Sequence, residues 1–66
     1  MDPKDLQTAL ARYEEAMKEF EAIHATIMQH VQESTMPTAH ELLEEERARH
    51  KLVELHRSIW TKVAGS

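Results

Sequence analysis

From Leu6 to Val31 the apolar residues step by four and three along the chain, through Leu10, Tyr13, Met17, Phe20, His24 and Ile27, with no glycine or proline in the run. Side chains of a strand change face every two residues, so a spacing that averages 3.5 residues cannot line one side of a sheet; it lines one side of a helix. His24 is the one polar interruption of this heptad seam. Ala9, Ala16 and Ile23 fall beside it at one further heptad position, which widens the seam into the broad stripe of a bundle helix.

The start and the end of this helix are written in local chemistry. Asp2 is an N-cap residue, Pro3 occupies the first helical position, where a missing N–H costs nothing, and Asp5 faces the positive end of the helix dipole. The pattern breaks at Glu33-Ser34-Thr35-Met36-Pro37-Thr38, because Pro37 cannot sit inside a helix and the hydroxyl side chains compete for backbone groups. Thr38-Ala39-His40-Glu41 then forms a capping-box sequence, with Pro37 placed to pack on Leu42 as a staple. The second helix carries Leu42, Leu43, Ala48, Leu52, Val53, Leu55, Ile59, Trp60 and Val63 and stops at Ala64-Gly65. Glu41, Glu44, Glu45 and Glu46 fill its first turns and Arg57 and Lys62 its last, so both ends complement the dipole. The expected organisation is one domain over 1–66: a helix over 3–33, a turn at 34–38 and a helix over 39–64.

A turn this short makes the fold all-α, an antiparallel two-helix hairpin. Each apolar stripe is wider than one neighbouring helix can cover, and a chain of 66 residues supplies only ~3–5 kcal/mol from a single core. Small domains compensate with disulfides, a metal or a second copy; the absence of cysteine removes the first and all thiolate zinc sites. A homodimer forming a four-helix bundle is therefore the expected state. The dimer and core positions expected from the two stripes are Leu6, Leu10, Tyr13, Met17, Phe20, His24, Ile27 and Val31 on the first helix, and Leu42, Leu52, His56, Ile59, Trp60 and Val63 on the second.

Charge narrows the range of functions. A hydrophobic share of 41% against 30% charged residues is too balanced for a disordered tail. The formal net charge of −4 provides no general attraction to phosphate backbones or anionic lipid. No run approaches the ~18 apolar residues of a membrane span, and the charged beginning does not read as a signal peptide, so a cytoplasmic location is expected.

Polar residues stand where the second helix should be most apolar. Glu45, Arg49 and His56 project into the middle of its stripe, and in an antiparallel hairpin His24 comes level with Glu45 and Arg49, and Met17 with His56. Glu45 and Arg49, four apart in the favourable acid-first order, make a polar core pair that fixes register, with His24 as a satisfied core histidine. The same residues allow a metal reading: Glu21-Ala22-Ile23-His24 presents two ligands from adjacent turns, Glu45 or Glu46 could bridge, and His50 lies one turn from Glu46. Five histidines in the chain also raise the prospect of pH sensitivity at the bundle seam.

Other chemistries have less to stand on. Arg47, Arg49, His50, Lys51 and Arg57 form the one basic cluster, but Glu41, Glu44, Glu45, Glu46 and Glu54 cancel it on the same helix, which describes a solvated, salt-bridged face. Small helical-hairpin dimers that bind RNA share this architecture, which makes an RNA-binding regulator an alternative by analogy only. Ser34, Thr35 and Thr38 are accounted for by the turn and cap, Ser58 sits in mid-helix, and there is no Gly-rich phosphate loop, so no enzymatic activity and no cofactor are expected. Met28 and Met36, near the turn, suit an adaptable contact surface. The expected function is a small self-associating protein, acting as a structural or protein–protein interaction module. A carboxylate/histidine metal-binding bundle is the alternative.

Overall fold

The computed structural model describes residues 2–65. Two helices, α1 (Pro3–Gln32) and α2 (Ala39–Ala64), pack against each other, and no strand occurs among the described residues. The first helix opens as its sequence dictates: the Asp2 carboxylate accepts the Lys4 N–H at 2.9 Å, and Pro3 begins the first turn. At the start of α2 the Thr38 hydroxyl accepts the Glu41 N–H at 3.1 Å while the Glu41 carboxylate accepts the Thr38 N–H at 3.0 Å, which satisfies two otherwise orphaned donors. Gly65 caps the far end in a right-handed conformation, its N–H reaching the Thr61 carbonyl at 2.9 Å.

The stop of α1 uses a device that proline alone does not announce. Ser34 adopts φ 59°. Thr35 N–H donates to the His30 carbonyl at 2.8 Å and Ser34 N–H to the Val31 carbonyl at 3.1 Å, the paired bonds of a Schellman motif. Serine stands at the left-handed position that glycine usually takes, where an L side chain is strained.

The hairpin has a narrow waist. Ala16 (2% exposed), Ile27 (7%) and Ala48 (9%) are the buried apolar residues. Ala16 and Ala48 carry only a methyl group, so the backbones can approach closely, and larger side chains close over them from the rims. Leu6, Tyr13, Phe20 and Ile23 from α1 and Leu52, Leu55 and Ile59 from α2 are half-buried.

The molecule is a rod measuring 48 × 15 × 14 Å, with a radius of gyration of 15.1 Å against about 11 Å for a globular chain of this length. Its surface of 5280 Å² exceeds by about 1,000 Å² what a compact monomer of 7.7 kDa exposes.

Candidate functional site

Heptad geometry sorts the side chains of each helix into lines. On α1 the central line is Leu6, Tyr13, Phe20 and Ile27, with Ala9, Ala16, Ile23 and His30 on one flank and Leu10, Met17, His24 and Val31 on the other. The chain turns the alanine flank inward: Ala16 is buried and Ala9, Ile23 and His30 are half-buried, whereas Leu10, His24 and Val31 are exposed and Met17 is half-buried. On α2 the central line is Glu45, Leu52 and Ile59, and the inward flank is Glu41, Ala48 and Leu55. Leu42, Arg49, His56 and Val63 form the outward flank, all exposed.

In an antiparallel pair equivalent flanks lie on the same side, so the two outward flanks make one face. Contacts across the hairpin establish this. His24 donates from Nδ1 to Glu45 at 3.0 Å, and the Tyr13 and His56 rings lie 6.2 Å apart, both on the side of the outward flanks. On the opposite side Lys51 pairs with Glu19 at 3.6 Å, and open grooves there are lined by Glu19, Ala22, Ile23, Glu44, Arg47, Ala48 and Lys51, and by Arg12, Glu15, Ala16, Glu19, Lys51 and Leu55. One side of the rod therefore carries charged residues around its grooves, and exposed Leu43 lines a separate groove with Glu46, Arg47 and His50. The other side carries exposed Leu10, Met28, Val31, Leu42, Val53, Trp60 and Val63, with Trp60 at 65% exposure.

The polar residues expected in the core form a chain at the middle of that apolar side. Glu45, whose side chain is 12% exposed, accepts from His24 and from Arg49 Nη2, and it is shielded because it stands on the central line. His24 stacks on Phe20, ring centroids 5.6 Å apart, yet keeps half its side chain in solvent. The structure places Arg49 and His56 on the exposed face and not inside the hairpin, because the inward flank of α2 is the one bearing Ala48. Level with His56 stands Tyr13, in place of Met17.

The proposed metal ligands are not brought together. His24 and Glu45 touch, Glu45 is already engaged by Arg49, and Glu21, Glu46 and His50 are exposed, His50 facing Glu54 at 3.8 Å. Among the described residues no three His, Asp or Glu side chains are grouped so as to hold a metal. Of the basic cluster, Arg49, His50 and Lys51 each face a carboxylate. His40 likewise lies 2.9 Å from Glu44.

A clasp at the turn was not foreseen from the residues. His30 is hydrogen-bonded through Nδ1 with Thr35 Oγ1 at 2.9 Å and through Nε2 to the Glu41 carboxylate at 3.0 Å, tying the end of α1 to the capping box of α2. The Thr38 backbone N–H first, then the Thr38 side chain and His30, hold the Glu41 carboxyl below the usual carboxylate range. His30 and Glu41 continue the inward flanks of their helices directly above the turn, so the clasp follows once packing has set which flank faces inward.

No helix among the described residues is long and apolar enough to cross a membrane. Compared with known proteins, the chain matches no family model, and no curated protein or solved structure is significantly similar to it.

Proposed function

We propose that this chain is a self-associating module, acting through protein–protein contact and not through catalysis, which pairs by its apolar side into a homodimeric four-helix bundle. The observation that carries this reading is the gathering of exposed Leu10, Val31, Leu42, Val53 and Trp60 on one side of the rod, opposite the side where Lys51 pairs with Glu19. Scattered surface leucines are ordinary, whereas exposed apolar residues gathered on one side, at both ends of a central polar chain, mark an interaction surface. The excess of about 1,000 Å² over a compact monomer is close to the ~800 Å² that each partner contributes to a standard interface. The weak internal core, closed by two alanines and one isoleucine, supplies the thermodynamic reason to pair.

Sedimentation equilibrium tests the reading directly. Twice the chain mass at micromolar concentration, with a melting temperature that rises with protein concentration, is the expected result. A monomer whose melting temperature does not depend on concentration overturns it.

A further inference from the structure

If two copies pair through their apolar sides, a two-fold axis can run along the rod or across it. An axis along the rod puts both turns at one end and lays each α1 on the partner's α2; an axis across it puts the turns at opposite ends and lays α1 on α1. We infer that the axis runs along the rod, so that the two hairpins are co-aligned. This inference rests on the self-association proposed above.

The reason is the match of chemistry along the contact. Rotation about the long axis leaves every residue at its own height, so the heights that hold within the hairpin also hold between copies. Those heights are set by His24 with Glu45, Tyr13 with His56 and Glu19 with Lys51, and each heptad up α1 is a heptad down α2. In a four-helix bundle the outward flank of one helix meets the next line out on its neighbour. Beyond the outward flank of α1 that line is Glu14, Glu21 and Met28; on α2 it is Glu46, Val53 and Trp60.

Co-alignment then sets like against like. Leu10 meets the partner's Trp60, Met17 meets the partner's Val53, and Met28 meets the partner's Leu42. The polar positions pair with opposite charge or with a histidine: Glu21 with the partner's Arg49, Glu14 with the partner's His56, and Glu46 with the partner's His24. His24 uses Nδ1 for its own Glu45, which leaves Nε2 as the atom for this second carboxylate. The cross-chain ion pairs would give the Arg49 guanidinium a second acid beside Glu45 where the interface dries.

The crossed arrangement does worse. Centred on the rod, it places Met17 against the partner's Glu21 and Arg49 against the partner's Val53, burying charges on apolar surface. Slid one heptad towards the turns it returns Arg49 to a glutamate, Glu46, but leaves Leu10 and Trp60 outside the contact. Co-alignment alone covers Leu10 and Trp60 while giving Arg49 a glutamate.

The chain has no cysteine, so a single spin label distinguishes the two cases. Met36 lies at the turn, is 86% exposed and stands apart from the proposed contact; Met36→Cys carries the label without disturbing it. Co-alignment predicts a dipolar distance under about 30 Å, two helix spacings plus the label arms. A distance of about 40 Å or more, set by ~1.5 Å per residue along the rod, would overturn co-alignment while leaving self-association intact. Absence of any dipolar coupling at concentrations where the chain should pair overturns both.

Discussion

Replacing Ile27 with alanine tests the hairpin core, and the same change at Leu10 tests the face. Ile27 is 7% exposed, so nearly the whole side chain is removed from water on folding. Three carbons at about 0.8 kcal/mol each, with a cavity that the two helices can partly close, put the loss at about 2.5–3.5 kcal/mol. Against ~3–5 kcal/mol for a core of this size, the variant should sit near its folding midpoint. Leu10, 43% exposed within the hairpin, loses only about half as much while the chain is monomeric, about 1.5 kcal/mol, and more once a second copy covers it. Urea unfolding followed by helical circular dichroism, at low and at high micromolar protein, separates the two. The Ile27→Ala deficit should not change with concentration and the Leu10→Ala deficit should grow. Equal deficits at low concentration would show that the Leu10 flank, and not the Ala16 flank, lies inside the hairpin.

Three further outcomes are expected. Ser34→Gly relieves a left-handed serine and should stabilise the fold by about 0.5–1 kcal/mol, seen as a melting temperature a few degrees higher; a lower one would mean that the serine hydroxyl matters more than its backbone strain. The Glu41 carboxyl is depressed by its capping bonds and His30, so its contribution is complete above the ordinary carboxylate range and is lost as pH falls through that range to the depressed folded value. Glu41→Gln keeps an acceptor in the capping box and should flatten this acid limb in pH-dependent melting; an unchanged limb would place the proton uptake elsewhere. Zinc or manganese should leave the melting temperature of the wild type unchanged, since Glu45 is already held by His24 and Arg49; a rise that His24→Ala abolishes would restore the metal reading.

Much of this architecture was legible in local chemistry. Pro3 and Pro37, the Asp2 cap and the Thr38–Glu41 box act within one helical turn, so their residues announce them without help from the rest of the chain. The contacts of Glu45 with His24 and Arg49 were legible too, because a short turn leaves an antiparallel hairpin little freedom in register. What periodicity could not decide was which flank of each stripe faces inward. Leu6, Tyr13, Phe20 and Ile27 carry apolar neighbours on both sides, and a hydrophobic pattern scores the leucine flank above the alanine flank. Tertiary packing reverses that order: two helices approach most closely where the side chains are smallest, so Ala16 and Ala48 take the contact and Leu10, Val31, Leu42 and Trp60 are left on the outer side. The same rotation carries Arg49 and His56 out of the core and leaves Glu45 beside it, a choice made by the shape of the opposing helix and not by the residues' own polarity.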